Sequence, residues 1–310
     1  MAENAVPTLR AESIHYRDNP ALLAFKRFLS HSSARLGLVL LGVLTIFAIF
    51  AEVIAPYDPI VPLDTGVKRR TPPCVHVLGC DPAQEQHLMG VDGNTRDLFS
   101  RIVFGARLSL QVGLSTVTLA IIVGGLLGAI AGFLGGWIDD LIMRTLDILM
   151  AFPSLLLAIA IVSVLGPGLI NALLAIAIIE IPIFARVVRS SVISVRELDY
   201  VMASKSLGAS DLRILFTRIL PNSLTPLIVQ GTLGIASAIL SAAALSFLGL
   251  GAEPPTPEWG LMMGAERNSV FSAPFLVFFP GAAIMITVLS FNLIGDALRD
   301  VLDPRLVHGG

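Results

Sequence analysis

The chain has 310 residues, of which 55% are hydrophobic and 14% are charged, and its mean hydropathy is +0.81. Because a soluble domain carries about 25% charged residues, this composition excludes a protein that water surrounds on every side. The formal net charge of −2 favours no class of partner by itself, and we expect membrane lipid rather than nucleic acid around the chain.

Long apolar runs without charged residues predict helices that cross a membrane. Such a helix needs about 20 apolar residues. The run 148–179 is too long for one crossing, and Gly166-Pro167-Gly168 divides it with residues that favour a turn. The six predicted spans lie near residues 36–55, 108–134, 147–165, 169–187, 223–250 and 275–295. We therefore predict an all-α, polytopic membrane protein with six transmembrane helices.

The orientation of these spans follows from the charges between them. Lys and Arg favour the cytoplasmic side in short connections, and the segment 186–218 holds six of them against three acidic residues. We expect this segment and both termini to be cytoplasmic. The predicted parts are a cytoplasmic N-terminal segment (1–35), a first transmembrane helix (36–55), an extracytoplasmic loop (56–106), a core domain of five spans with a coupling loop at 188–222 (107–295), and a cytoplasmic tail (296–310).

The two cysteines of the chain, Cys74 and Cys80, fall in the predicted extracytoplasmic loop. Disulfides persist on that side of a membrane, so a local disulfide between them is our first expectation. Two free thiols are the next alternative. A metal site that also uses His76 and His87 is the third, although the spacing matches no standard zinc pattern.

Glu180 is an isolated acid within the fourth predicted span. A carboxylate at that depth is expensive and is a candidate for function, which makes Glu180 a candidate for the translocation path. The alternative is that it lies just inside the cytoplasmic boundary, where it pairs with a cation or faces a neighbouring subunit.

A basic, amphipathic stretch, YVMASKSLGASDLRILFTRILPN (200–222), lies between spans four and five. Gly208 separates two predicted short helices, and Ser210 is placed to cap the second. Pro221 cannot continue that helix with a normal hydrogen bond, so we expect the helix to end there and the chain to turn into span five. The predicted apolar stripe of the second helix is Leu212, Leu215, Phe216, Ile219 and Leu220. The pattern fits a helix on the lipid surface and a helix that docks on a protein.

Span five is rich in Gly, Ala and Ser, which let membrane helices pack closely. The same residues could line a path, with polar contacts from Gln230, Thr232, Ser237 and Ser241. We keep both readings open, with packing as the first for any one residue.

The 200–222 stretch resembles the EAA loop of permease subunits in binding-protein-dependent ABC importers. That loop has Glu-Ala-Ala, three residues, Gly, nine residues and then Ile-x-Leu-Pro. The strict matches here are Ala203, Gly208, Leu220 and Pro221, and the departures are Met202, Ser204 and Arg218. Four further segments are similar to the C-type permease of the dipeptide/oligopeptide/nickel importer family: HLMGVDGNTRDLFSRIVFGARLSL (87–110), MAFPSLLLAIAIV (150–162), LSFLGLGAEPPTPEWG (245–260) and FNLIGDALRDVLDPRL (291–306).

The resemblance implies a type I ABC importer permease (MetI-like) fold with a cytoplasmic coupling helix. It implies a heterodimer with a homologous B-type permease, two cytoplasmic ATPase subunits that bind ATP and Mg²⁺, and an extracytoplasmic solute-binding protein. The implied substrate is a di- or oligopeptide, with nickel, glutathione or another small solute as alternatives. The implied location is the cytoplasmic membrane of a bacterium or archaeon. The residues that it assigns to ATPase coupling are Tyr200, Met202, Ala203, Ser204, Lys205, Leu207, Gly208 and Pro221.

The sequence contains no G-x-x-x-x-G-K-[ST] phosphate loop, so we expect the chain to bind no cofactor and to draw its energy from a partner. An ion-coupled secondary transporter would need ion-coupling acids or inverted repeats near the midplane, and Glu180 alone is thin support for one. An intramembrane enzyme would need a nucleophile or a metal set within the spans. We find neither, and we expect a non-catalytic subunit.

Overall fold

The computed structural model describes residues 20–63, 66–81 and 84–302, and these form helices joined by loops. The α-helices are α1 (Pro20–Ser30), α2 (Ser32–Ile49), α3 (Ala51–Ile54), α4 (Leu98–Leu134), α5 (Gly136–Met150), α6 (Ser154–Leu165), α7 (Leu169–Arg196), α8 (Asp199–Ser206), α9 (Asp211–Ile214), α10 (Leu220–Phe247), α11 (Trp259–Glu266) and α12 (Phe275–Leu302). Within the described ranges there is no β-strand, and only isolated bridges join Cys74 to His87 and Val91 to Asp97.

Five stretches of the described chain are long and apolar enough to cross a membrane: α2, α4, α7, the continuous helix Asp211–Phe247, and α12. The pair α5 and α6 makes a sixth crossing if it is counted as one bent span. The predicted all-α, multi-span architecture is therefore confirmed.

The span predicted near 147–165 is not one continuous helix. The chain leaves the helix between Met150 and Ser154 and bends by 92°. Pro153 explains the break, because a proline disfavours helical geometry in the residue before it. Helix α6 alone has 12 residues and spans only about 18 Å, whereas α5 carries the charged residues of this region.

Other boundaries also differ from the predicted ones. α4 begins at Leu98, inside the predicted extracytoplasmic loop, and α12 continues to Leu302, inside the predicted tail. The first span begins at Ser32 and is interrupted at Phe50 before the short α3. Charged residues mark where the apolar part of a span ends. A helix continues past that point wherever its backbone can still form helical hydrogen bonds.

Helices α4 and α7 share the most extensive contact among the described helices. Gly124, Gly128 and Gly132 of α4 face backbone carbonyls of α7, and a Cβ on Gly124 would lie 2.6 Å from Ile181 O. At Gly132 the corresponding distance is 2.8 Å, to Arg189 O. Because the contacts advance along both helices in the same direction, α4 and α7 run parallel with almost no space between their backbones.

Around this pair, α10 contacts α4, α7, α11 and α12, while α2 packs on α12 and α4. The helix directions give the bundle two ends. We call the end formed by 55–63, 66–81, 84–97 and 248–274 the disulfide end, and the end formed by α5, α8 and α9 the α8 end.

Candidate functional site

Helix α8 projects from the α8 end with most of its side chains exposed. Val201 is buried and attaches the helix to the bundle, whereas the side chains of Tyr200, Met202 and Leu207 are exposed, Leu207 by 88%. Ala203 and Lys205 are also exposed, and Ser204 is half-buried. The helix therefore offers a mostly uncovered surface on which apolar side chains stand beside the polar Lys205 and Ser206.

Gly208 ends α8 in a left-handed conformation, with φ of +83°. The Gly208 N–H donates to Lys205 O at 3.0 Å, and the Ala209 N–H donates to Ser204 O at 3.2 Å. These are the two hydrogen bonds of a Schellman motif, in which the left-handed position favours glycine. The break that the sequence places at Gly208 is present, and Ser210 lies at the N-cap of α9 without a side-chain capping bond.

The expectation that the second helix ends at Pro221 is wrong. A π-helical turn, Leu215–Ile219, connects α9 to α10, and the Leu220 N–H donates to Leu215 O, five residues earlier. Because this wider turn frees the helix from the usual i−4 pairing, Pro221 is accommodated near the start of α10 on an exposed surface.

The π-helical turn also changes which side chains face the bundle. Leu212 and Phe216 of the predicted apolar stripe are 69% and 63% exposed, whereas Ile214, Leu215 and Ile219 are buried. The predicted stripe is therefore divided: Leu215 and Ile219 are buried, whereas Leu212 and Phe216 are exposed, because the stripe assumed regular α-helical periodicity.

Glu180 and Ser237 of the candidate path are brought together. The Ser237 hydroxyl donates to Glu180 Oε1 at 3.2 Å, and Glu180 is only 6% exposed. Arg186, the cation that follows Glu180 on α7, bonds to Asp147 of α5 rather than to Glu180. Ser237 is exposed, so its hydroxyl connects the buried carboxylate of Glu180 to an exposed face of α10.

The remaining path candidates lie on the same helix, α10. Ser241 follows Ser237 by one turn and is half-buried, and Gln230 precedes Ser237 by two turns. Gln230 lines a cleft of about 410 Å³ between α7, α10 and α12, together with Thr225 and Arg299. Most small residues of α10 are buried in packing, among them Gly231, Gly234, Ala236, Ala238, Ala242 and Ala243. Thr232 bonds to a carbonyl of its own helix.

At the disulfide end, Cys74 and Cys80 form a disulfide with their Cα atoms 5.4 Å apart. His76 Nε2 bonds to Gln84 O at 2.8 Å, while His87 is buried with Nδ1 bonded to Asp97 Oδ1 at 3.1 Å. The two histidines therefore bond to different partners, His76 to Gln84 and His87 to Asp97. Across the part of the chain that the structure describes, no group of three His, Cys, Asp or Glu side chains could hold a metal ion.

Two arginines near the start of α4, Arg96 and Arg101, donate hydrogen bonds to backbone carbonyls of segments that are distant in sequence. Arg101 Nη1 donates to Pro59 O at 2.6 Å and to Pro255 O at 3.2 Å, and Nη2 donates to Thr256 O at 3.2 Å. Arg96 Nε donates to Asp92 Oδ2 at 2.9 Å. The sequence shows only that these charges precede a span, so their partners were missed.

At the α8 end, arginines of α7 form ion pairs with α5 and hydrogen bonds with α4. Arg189 forms a bidentate pair with Asp139 of α5, in which Nη2 donates to Oδ2 at 2.6 Å. Arg186 donates to Asp147 one turn earlier, and Arg196 contacts the end of α4. In the sequence, these arginines indicate only the orientation of the spans. The two acids lie eight residues apart, on one face of α5, which is a signal for a shared partner but does not identify it.

Comparison with known proteins gives the same overall picture. A family model described as "Binding-protein-dependent transport system inner membrane component" matches residues 124–308. A model of the N-terminal transmembrane domain of oligopeptide transport permease C matches residues 19–73. An inward-facing structure of the MetNI methionine ABC transporter matches with a TM-score of 0.53, covering 66% of this chain and 97% of that one. At 17% identity, that match shows likeness of fold alone.

Three relatives match over nearly their whole length. The chain is 53% identical to the dipeptide transport system permease protein DppC of Alkalihalophilus pseudofirmus, over 91% of this chain and 89% of that protein. It is 48% identical to the di/tripeptide transport system permease protein DppC of Pseudomonas aeruginosa, over 92% of each. It is 42% identical to the glutathione transport system permease protein GsiD of Pectobacterium atrosepticum, over 97% of this chain and 95% of that protein.

These matches confirm the resemblance to C-type importer permeases. The chain belongs to the family of inner membrane components of binding-protein-dependent transport systems, as a multi-pass permease subunit of an ABC importer.

Proposed function

We propose that this subunit pairs with a homologous B-type permease to form the path for di- or oligopeptides that an extracytoplasmic binding protein delivers. Two cytoplasmic ATPase subunits bind ATP and Mg²⁺ and supply the energy, while this chain binds no cofactor and catalyses no reaction. The names of the dipeptide and di/tripeptide relatives support the substrate class. The charges between the spans support cytoplasmic termini and a cytoplasmic α8.

The observation that carries the proposal is the exposed surface of α8. A helix that presents Met202 and Leu207 to its surroundings, held by one buried residue and ended by a Schellman turn, is built to enter a groove. A helix on lipid would contact acyl chains with the same residues. We assign the surface to the ATPase because the importer needs such a contact and the chain has no phosphate loop.

The test of this assignment compares two glycines. Gly208 and Gly249 have φ of +83° and +80°, and the Cβ of a substituted side chain would have no heavy atom within 4 Å at either position. Gly208→Val and Gly249→Val therefore impose the same kind of backbone strain at opposite ends of the bundle. We expect Gly208→Val to reach the membrane but to lose co-purifying ATPase subunits or the coupling of hydrolysis to import, and Gly249→Val to keep both. Equal ATPase recovery and equal coupling in the two variants would leave α8 as a lipid-surface helix.

The energy source and the substrate are tested in vesicles that contain the chain with its partner permease, its ATPases and its binding protein. We expect uptake of labelled dipeptide that requires ATP and is abolished by vanadate. Uptake against a gradient without nucleotide would establish an ion-coupled transporter instead. Glutathione is a second candidate substrate because a glutathione permease is 42% identical to this chain. Unlabelled glutathione or Ni²⁺ in excess should leave dipeptide uptake unchanged if the first assignment is right.

We place Glu180, Ser237, Gln230 and Ser241 on the translocation path. The pair of Glu180 and Ser237 lies at an open face of α10 and supplies charge and hydrogen-bonding capacity inside the bundle. Glu180→Gln retains an acceptor for Ser237 but removes the charge, so we expect normal amounts of protein and slower peptide uptake. Wild-type uptake by this variant for every peptide tried would remove Glu180 from the path and leave it a packing residue.

A further inference from the structure

The last turn of α7 reaches across to the end of α4. Arg196 Nη1 donates to Phe133 O at 3.0 Å and to Gly132 O at 3.2 Å. On its other side the same guanidinium donates from Nη2 to Glu197 Oε1 at 3.3 Å. Arg196 therefore binds a backbone end on one helix while a neighbouring carboxylate holds its orientation.

The end of α4 needs such a partner. The last carbonyls of a helix have no N–H to accept from within the helix, and they carry the negative end of the helix dipole. At Gly135 and Gly136 the backbone turns into left-handed conformations, with φ of +66° and +58°, and leads into α5. The Arg196 guanidinium donates to two of these carbonyls. Its positive charge also stabilises the negative end of the α4 dipole.

The connection from Arg196 to α8 is short and is held by hydrogen bonds of Leu198. Leu198 donates its N–H to Val195 O at 3.2 Å and accepts from Val201 N at 2.9 Å and from Met202 N at 3.2 Å. α8 begins at Asp199, three residues after Arg196. Because this turn is short and hydrogen-bonded, we expect a displacement of α8 to move the Arg196 guanidinium with it.

Glycine packing joins α4 and α7 along their sides, where Gly124, Gly128 and Gly132 bring the two helices into contact. This contact is van der Waals packing without a directional bond. The bonds from Arg196 act at the end of α4, along its axis. They fix the axial register of the two spans at the point nearest α8.

We propose that Arg196 is a positioning residue that transmits the displacement of α8 to α4 as well as to α7, so that the two spans move as one body. This inference rests on the proposed role of α8 as the contact to the ATPase. Without Arg196, α8 still docks and ATP is still hydrolysed, but α4 follows only partially and fewer transport events complete for each ATP.

The test is the number of peptides imported per ATP hydrolysed, measured in the same vesicles of the complete importer with its binding protein. Arg196→Ala should lower this ratio about tenfold, the size of effect that the loss of one charge-assisted hydrogen bond produces. Arg196→Lys keeps a cation but not the fork and should fall between. A merely structural defect reduces the amount of active protein, which lowers import and hydrolysis together and leaves their ratio unchanged.

Two further variants complete the design. Arg144→Ala removes an exposed arginine of α5 and should keep the wild-type ratio. Glu197→Ala leaves Arg196 in place but frees the guanidinium, and because the Glu197 side chain is 68% exposed, the complex should assemble normally with a smaller loss of coupling. If Arg196→Ala fails to assemble, Arg196→Lys and Glu197→Ala decide the question.

An unchanged ratio in Arg196→Ala, or in both substitutes if that variant does not assemble, overturns the inference and leaves the proposed function intact. A failure of the proposed function has a different signature, because the wild-type importer itself would then show no ATP-dependent uptake. That result would overturn both.

Discussion

The two ends of the bundle both use arginines, but they use them differently. At the disulfide end, the side chains of Arg96 and Arg101 are 9% and 3% exposed, and Arg101 bonds to backbone carbonyls of two distant loops. At the α8 end, the side chains of Arg186 and Arg189 are 48% and 35% exposed and bond to carboxylates of one neighbouring helix.

This difference decides which end can rearrange. Breaking a buried charge network by removing one partner costs about 3–5 kcal/mol, whereas an exposed ion pair contributes about 0–1 kcal/mol. On these figures we expect the disulfide end, which we call the platform, to be the more rigid of the two, and the ion pair of Arg186 with Asp147 to break more easily.

The largest expected loss of stability comes from removing the Arg101 hydrogen bonds at the disulfide end. Arg101→Ala removes the donors to Pro59, Pro255 and Thr256 and should lower the free energy of unfolding by about 3–5 kcal/mol. The checks are the melting temperature in detergent and the rate of protease cleavage in the 56–81 segment. Arg101→Lys should lose less, because it keeps the charge. A melting temperature equal to that of the wild type would remove the distinction between the two ends.

A second test concerns the helices that join the ends. A Cβ on Gly128 would collide with the Ala185 backbone, while a Cβ on Gly125, three residues earlier on the same helix, would lie 3.9 Å from Val188 Cγ2. Gly128→Val should cost about 1–3 kcal/mol through overpacking, and Gly125→Val should cost much less. Thermal unfolding of the two variants compares them directly. Equal melting temperatures would mean that α4 and α7 are not held as closely as the bundle requires.

The platform should also respond to pH through Glu258, which caps α11. Burial raises the pKa of the Glu258 carboxyl, and hydrogen bonds from Leu261 and Gly260 oppose that rise. A folded-state pKa above the unfolded value, about 4.3, gives stability that is complete below pH 4.3 and is lost as pH rises through the folded pKa.

Glu258→Gln retains an oxygen acceptor for the capping bonds but does not ionise. We therefore expect the melting temperature of the wild type to fall relative to that of the variant as the pH is raised from about 4 to 8. Parallel curves over this range would contradict the assignment of the pH response to Glu258.

The smallest effect is expected at the α8 end. Arg186→Ala removes an exposed pair with Asp147 and should change the free energy of unfolding by less than about 1 kcal/mol. The same measurement at low and high salt should show the wild-type advantage shrinking as salt screens the pair. A loss as large as that of Arg101→Ala would show that the α8 end is as rigid as the platform.

Local signals in the sequence predicted most of the fold. Apolar runs without charge identified the crossings, and Gly208 marked the end of α8, because both features depend on neighbouring residues alone. The bend at Pro153 was not predicted, since hydropathy reports where a chain is apolar but not where it bends. The helix end at Pro221 was wrong for a related reason: a proline excludes the usual hydrogen bond but not the wider π-helical turn.

The contacts of the candidate site depend on which helices become neighbours. Glu180 meets Ser237 across 57 residues of sequence, and Arg101 reaches Thr256 across 155. Nothing within a few residues of either side chain indicates such a partner. The importer family itself was predicted and confirmed, because its motifs are contiguous segments, whereas the roles of Glu180 and Arg196 stay predictions.

The π-helical turn at Leu215–Ile219 has a mechanical consequence. It keeps Asp211–Phe247 a single helix of 37 residues in spite of two prolines, and at 1.5 Å per residue this helix is about 55 Å long. A tilt of about 5° at one end of a rod of that length carries the other end through about 5 Å. The rod begins three residues beyond Gly208 and ends against α11 at the disulfide end, so a small tilt about that end gives its widest displacement beside α8.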